Sequence, residues 1–248
     1  MRNGAEFLRA DLHIHSFGDF GSYDVTDTTM TPAAIVDTAI EKGLGVISIT
    51  DHNEIMNSHA ALKYAEGKDI LVIPGIEVST TQGHLLLYFS SFEQLRAFHG
   101  KLDISQDRRT CTNGIVQCLE IAQQEQGIGI LAHIDVEAGF EKTIGKFGLA
   151  MEEIFKHKNL LGLEIANIGS SSFYTDIDND LNRKNLVSLH RKFCGYDTDY
   201  NIAKLLSSDA HTLERLGVNA EGGKKLTRIK MDETSFHSFK IALISSES

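Results

Sequence analysis

Two histidines, His13 and His15, close the first apolar run of the chain, Phe7-Leu8-Arg9-Ala10-Asp11-Leu12. In a strand, positions i and i+2 share a face. The two imidazoles therefore project together, as they do when they share a metal ion. The pair alone says little, but the chain repeats the pattern. His52 follows the apolar residues 45–50, His84 opens residues 85–89, His133 follows residues 128–132, and His211 stands just past residues 204–208. Six of the eleven histidines thus flank strand-like runs, accompanied by Asp51, Glu77 and Asp209. The other five, His59, His99, His157, His190 and His237, fall in segments that read as helix or polar surface.

Buried polar groups need partners, and joint metal coordination satisfies many at once. Imidazole with carboxylate and no thiolate suits zinc, manganese or iron(II). About nine ligands are too many for one tetrahedral ion, so two or three divalent ions are implied. A carboxylate midway in the chain order, such as Glu77, could bridge two of them. Ions roughly 3.5–4 Å apart polarise a phosphoryl oxygen and generate hydroxide as a nucleophile.

The elements that must carry these residues alternate. Strands are expected at residues 7–12, 45–50, 70–73, 76–78, 84–89, 128–132, 161–165, 204–208 and 226–230. Helices are expected at 33–42, 58–66, 92–98, from a Thr112-Asn113 cap to 126, at 151–158, 178–192 and 235–244. Thr31 as N-cap and Pro32 in the first turn start the first helix, and Gly43 ends it. Residues 16–30 have no hydrophobic period and hold Asp19, Asp24 and Asp27, and a long structureless loop is often functional. The alternation predicts parallel α/β architecture. Ligands after so many different strands favour a barrel, whose strand C-termini converge on one face.

The 248 residues, 42% of them hydrophobic, suit one domain spanning 1–248 with a core that needs no disulfide. The formal charge of −10 argues against a broad nucleic-acid-coating surface. Bound divalent ions still reverse the sign locally. Cys111, Cys118 and Cys194 show no C-x-x-C spacing and read as reduced thiols of a cytoplasmic protein. The N-terminus has no apolar signal core, and no apolar run approaches the roughly 20 residues of a membrane span.

Asp11-Leu12-His13-Ile14-His15-Ser16, Ile49-Thr50-Asp51-His52-Asn53, Gly75-Ile76-Glu77-Val78-Ser79, Leu131-Ala132-His133 and Ser208-Asp209-Ala210-His211 occur in an order and spacing that cover almost the whole chain. In these motifs the chain resembles the polymerase and histidinol phosphatase (PHP) superfamily of metal-dependent phosphoesterases. The resemblance implies a distorted (β/α)7 TIM-like barrel with a multinuclear site. It matches His13, His15, His52, His84, His133, Asp209 and His211 to metal ligands and Glu77 to the bridging glutamate, with Glu77, Asp209 and His211 as the candidate catalytic residues. Many members carry an Asp about five residues after the second His. Here Phe20 takes that place, leaving Asp24 as the favoured ligand and Asp19 as the alternative.

Arg108 and Arg109 are candidates for holding a substrate phosphate, and Glu164 for supporting the ligands from behind. Residues 217–224 narrowly miss a phosphate-binding P-loop, and Gly127-x-Gly129-x-x-Ala132 imitates a dinucleotide fingerprint from within a strand. Lys224, Lys225 and Arg228 read as surface. The expected activity is hydrolysis of a phosphate ester of a nucleotide, other phosphorylated small molecule or nucleic-acid end, with manganese, zinc or iron. The alternatives are a non-catalytic PHP module with a structural or partner-binding role, and C–N bond hydrolysis on an amidohydrolase-like barrel. The chain also resembles PHP modules that precede an ATPase domain, which makes such a domain or subunit an expected partner.

Overall fold

The structure, a computed structural model, describes residues 4–219, 221–223 and 226–245. Chain order runs β1 (Glu6–Ile14), α1 (Pro32–Glu41), β2 (Val46–Ile49), α2 (Met56–Tyr64), β3 (Leu71–Val72), β4 (Gly75–Thr80), β5 (Gly83–Tyr88), α3 (Phe92–His99), α4 (Ile115–Gln124) and β6 (Ile128–Leu131). It continues through α5 (Phe140–Ile144), α6 (Leu149–Phe155), β7 (Leu160–Glu164), a 3-10 turn (Ile168–Ser172), α7 (Leu181–Cys194), β8 (Ala203–Leu205), β9 (Arg228–Met231) and α8 (Phe236–Ile244).

Local chemistry explains most boundaries. Thr31 caps α1 by accepting from the Ala34 amide, and Gly43, with φ 68°, follows the C-cap in the left-handed region. Asp180 caps α7 through the amides of Asn182 and Arg183. The expected Thr112-Asn113 cap of α4 is not the one used. Thr112 Oγ1 donates to Asp103, Asn113 Oδ1 accepts from the Asp103 amide, and Gly114 becomes the N-cap. The short helix α5 was not expected, since its segment reads as a glycine-bearing loop.

The strands form two sheets, ordered β3-β2-β1-β9 and β4-β5-β6-β7-β8. The expectation of an all-parallel arrangement needs correction. β5 runs antiparallel to both β4 and β6, and β9 runs antiparallel to β1. For β5 the reason is a tight reversal at Thr81-Gln82, directly before Gly83. Gly83 has φ +114°, and a Cβ there would lie 2.6 Å from the Phe140 Cα, so only glycine fits.

The sheets meet at two isolated parallel bridges, Ile14 with Ala210 and His52 with Glu77. They also share core. Leu12, Val46, Leu86, Tyr88, Ile130, Leu161 and Leu205 pack in one cluster with Phe239 and Leu243 of α8. The Tyr88 hydroxyl donates to the Leu12 carbonyl across it. Burying each such aliphatic side chain contributes about 1.5–3 kcal/mol. The fold is therefore mixed α/β. A closed barrel is not among the strand pairings of the described residues. Among those residues, no helix is long and apolar enough to cross a membrane.

Candidate metal centre

Glu77 lies in the middle of β4, fully buried, and histidines surround its carboxylate. Oε2 lies 3.0 Å from His13 Nε2, 3.2 Å from His15 Nε2 and 3.2 Å from His52 Nδ1. Oε1 lies 2.9 Å from His84 Nδ1 and 3.2 Å from His133 Nε2. Asp209 Oδ1 adds a second carboxylate, 3.1 Å from His15 Nε2 and 3.5 Å from His13 Nε2. Asp24 Oδ2 adds a third, 3.1 Å from His211 Nε2 and 3.4 Å from His52 Nε2.

Three groups have ligand atoms within 4.8 Å of one another: His13, His15 and Asp209; His15, Asp24 and His52; and His52, Glu77 and His84. His13, His15 and Glu77 are sealed, whereas the Asp24, His211 and Asp209 side chains are 35%, 34% and 46% exposed. The cluster therefore opens to solvent on that side.

The elements explain the convergence. β1 and the segments after β2, β6 and β8 deliver His13, His15, His52, His133, Asp209 and His211 from their C-terminal ends. His84 stands at the start of its strand. It reaches the same face because β5 is reversed against β4. His133 and Asp209 adopt φ values of 25° and 48°, in the left-handed region that non-glycine residues rarely occupy. Such strain concentrates where side chains must be aimed at a site.

The PHP domain family matches residues 11–212. This chain belongs to the PHP domain family. An uncharacterized protein of Methanocaldococcus jannaschii is 34% identical over 86 residues, covering 33% of this chain and 50% of that protein. The crystal structure of an Endonuclease Q complex with a 27-mer duplex containing an abasic lesion has a TM-score of 0.70 at 19% identity, covering 96% of this chain and 56% of that one. The lesion-specific endonuclease PfuEndoQ of Pyrococcus furiosus has a TM-score of 0.69 at 20% identity, with the same coverage of 96% and 56%. The chain thus spans about half the length of the relatives it matches. At these identities the two structures show a shared fold.

The PHP family's phosphoester chemistry depends on metal ions, and the donor set fits them. In four of the six strand-end histidines, one ring nitrogen faces a carboxylate of the cluster while the other is paired with an oxygen. His13 Nδ1 pairs with Glu164 Oε2 at 2.8 Å, His15 Nδ1 with Ser22 Oγ at 2.6 Å, His52 Nδ1 with Ser79 Oγ at 2.9 Å and His211 Nδ1 with the Asp209 carbonyl at 3.0 Å. That arrangement fixes and polarises metal-binding imidazoles. His84 Nδ1 is buried 2.9 Å from Glu77 Oε1 yet makes no hydrogen bond. A shared cation is the partner its chemistry suits.

The electrostatics agree. Burial opposes charge on His15, but its hydrogen bonds to Asp209 and Glu77 outweigh that and push it up to about 10. Burial also disfavours an ionised Glu77, yet the surrounding His13, His52 and His84 hold it well below the usual carboxylate range. Asp24 and Asp209, despite desolvation, are likewise held low by His211 and His52 and by His13 and His15. Burial opposes charge on His13 too, but the carboxylates around it, Glu164, Glu77 and Asp209, shift it up, whereas burial shifts His52 down. Metal binding displaces protons from such imidazoles.

The structure brings together His13, His15, Asp24, His52, Glu77, His84, His133, Asp209 and His211. Asp19 is exposed and lies outside those groups among the described residues. Asp51, grouped with the cluster by sequence, faces away from it. Its carboxylate accepts from the Ser16 amide and hydroxyl and from the Ser22 amide, and burial raises it to about 6. It therefore staples the 16–30 loop rather than joining the cluster. Glu164 pairs with His13 Nδ1 and also accepts from the His133 amide.

The Arg108 guanidinium donates to Glu54 Oε2 at 2.9 Å. Arg109 instead lies over the Tyr23 ring, 5.1 Å from its centroid. Gly217, the first residue of the stretch that resembles a P-loop, donates its amide to the buried Asp11 carboxylate of β1. Lys224 and Lys225 lie outside the described residues, and Arg228 is exposed. Ser22, Ser79 and Asp11 were missed as supports. Asp11 had one legible signal, its position two residues before His13 on the same strand face.

Proposed function

We propose that this PHP domain is a metal-dependent phosphoesterase that cleaves a phosphate ester of a nucleotide or a nucleic-acid end, using two or three divalent ions. The observation that carries the reading is the single buried carboxylate, Glu77, with five imidazoles around its two oxygens. His13, His15, Glu77 and Asp209 would hold one ion. Glu77, His84 and His133 would hold a second, and Asp24, His52 and His211 a third. Manganese, zinc or iron suits this set of nitrogen and oxygen donors. Bound there, such ions polarise a phosphoryl oxygen and acidify water.

The chain's own residues do the rest. Glu77 spans two of the three positions, Glu164 and Ser22 orient His13 and His15, and the opening at Asp24, Asp209 and His211 is where the ester reaches the cluster. We read residues 1–248 as one PHP unit. The bridges Ile14–Ala210 and His52–Glu77 support a distorted barrel of seven units closed around this cluster. Nucleic acid as substrate rests on the Endonuclease Q likeness. A non-catalytic module would have lost members of the cluster, whereas here each residue that the family resemblance matches to a metal ligand lies in it. An ATPase neighbour finds no support among the relatives and stays outside this reading.

The test is metal analysis of the purified protein followed by a phosphate-release and cleavage screen over nucleotides and short oligonucleotides with added manganese. Bound metal with turnover of phosphate esters is expected. Protein that takes up no divalent metal and cleaves nothing in the panel would overturn the reading.

A further inference from the structure

We propose that Arg109, carried on the Tyr23 ring, binds a second phosphate of the substrate, so that the site favours esters with two or more phosphates over a lone monoester. This rests on the phosphoesterase reading and deepens it. The first observation is position. Tyr23 directly precedes Asp24, and its ring is stacked on His52 with centroids 5.1 Å apart and planes at 24°. The Arg109 guanidinium lies 5.1 Å from that same ring. It therefore stands one ring removed from His52, over the Tyr23 ring that adjoins the half-exposed Asp24 in sequence. A cation so placed does not sit among the groups around the reacting phosphate. It is set for the next anionic group along the substrate.

The second observation is that the loop carrying Arg109 is pinned to the site. The Asn53 side chain, next to His52, donates to the Arg108 carbonyl at 2.8 Å and accepts from the Ser79 amide at 3.0 Å. Arg108 is tied to Glu54 at 2.9 Å, and the Cys111 amide donates to the Ser79 carbonyl at 2.8 Å. Asn53 and Arg108 both adopt left-handed backbone, φ 54° and 60°, to make these contacts. The same residues that flank candidate ligands thus fix where Arg109 stands.

The third observation is that the Arg109 charge is not spent. Its carboxylate neighbour Asp107 is 4.0 Å away, and both side chains are about two-thirds exposed, 65% and 64%. Such a surface pair contributes little and yields readily to a better anion. Arg108, one residue earlier, is neutralised by Glu54. An arginine stacked on an aromatic ring presents a planar fork that suits phosphate, which lysine does not reproduce. In a chain of charge −10, a rim cation beside the cluster is a feature an anionic substrate would use.

The experiment compares the metal-loaded protein with Arg109→Ala, Arg109→Lys and Tyr23→Ala on p-nitrophenyl phosphate, a nucleoside 5′-diphosphate and a short single-stranded oligonucleotide. Arg109→Ala is expected to raise KM for at least one of the two multiply phosphorylated substrates about tenfold more than for p-nitrophenyl phosphate, with kcat changing less than KM. Arg109→Lys should recover part of the loss, and Tyr23→Ala should reproduce its substrate dependence. A KM effect on the oligonucleotide alone assigns the second phosphate to a nucleic-acid backbone. An effect on the diphosphate as well assigns it to a nucleotide.

Equal KM changes on all three substrates, or none, would overturn the proposal, as would loss of bound metal in Arg109→Ala. Calorimetric titration of the metal-loaded proteins with inorganic phosphate and with the diphosphate separates the two readings. If the native protein hydrolyses nothing but Arg109→Ala still weakens diphosphate binding selectively, the phosphoesterase reading fails and the Arg109 assignment stands. If the native protein is active and binding falls equally for both ligands, the Arg109 assignment fails alone.

Discussion

Glu77 has almost no contact with water, and five imidazole nitrogens stand within 3.2 Å of its oxygens. A neutral amide keeps its shape but removes the charge about which the cluster is built. Glu77→Gln should therefore lower turnover by about 10²-fold or more, the usual scale for removing one charge-stabilising group. Unchanged turnover in a variant that still binds metal would remove Glu77 from its bridging role. The two loop aspartates offer a sharper contrast. Asp24 lies against His52 and His211, and Asp19 is exposed. Asp24→Asn should reduce both metal content and phosphoesterase rate, and Asp19→Asn should change either by less than about twofold, as expected of an exposed side chain away from the chemistry. The reverse ranking in the same two assays would move the ligand to Asp19.

At the scale of elements, the β4–β5 hairpin decides whether His84 joins the cluster. Had β5 run parallel to β4, a residue at its start would lie at the opposite end of the sheet. The reversal depends on Gly83, whose positive φ and closeness to Phe140 exclude any side chain. Gly83→Ala should cost about 1–3 kcal/mol of stability, the range for forcing an extra carbon into a packed site. It should also lower metal content by displacing His84. Urea unfolding and metal analysis of the same preparation check both, and native-like values in the two measurements would show that the turn tolerates a side chain. The 16–30 loop depends on a different device. Asp51 collects donors from Ser16 and Ser22, and Ser22 then passes the restraint to His15 and to the His52 amide.

For the molecule as a whole, candidate ligands drawn from both sheets tie metal binding to global stability. His13, His15 and His52 come from the segments of one sheet, and Glu77, His84 and His133 from those of the other. An ion that binds only the folded chain at one hundred times its dissociation constant adds about 2.7 kcal/mol. At about 2–4 °C per kcal/mol for a chain of this size, stripping the ions with a chelator should lower the melting temperature by about 5 °C or more. Restoring manganese or zinc should reverse the shift. Scanning calorimetry with metal content measured in parallel is the check, and an unchanged melting temperature after verified removal would uncouple the cluster from the fold.

Much of this was legible in the order of residues, because strand-end ligands leave a short-range mark. A run such as residues 45–50 or 128–132 is apolar since it is buried, and the polar residue that follows it stands where the strand leaves the core. That is why His13, His15, His52, His133, Asp209 and His211 could be singled out from spacing, and why the PHP family was recognisable from the same motifs. Strand direction left no such mark. The pairing of β5 against β4 and β6, and of β9 against β1, is made between strands whose apolar content is the same in either sense. Nor could spacing separate Asp51 from Asp24, since residue order does not show which carboxylate is already occupied by hydrogen-bond donors. Hydrogen-bond donors from Ser16 and Ser22 occupy Asp51, whereas Asp24 meets His211 from 187 residues away. Arg109 and Tyr23 came together in the same way, through contacts between distant segments that only the tertiary structure makes.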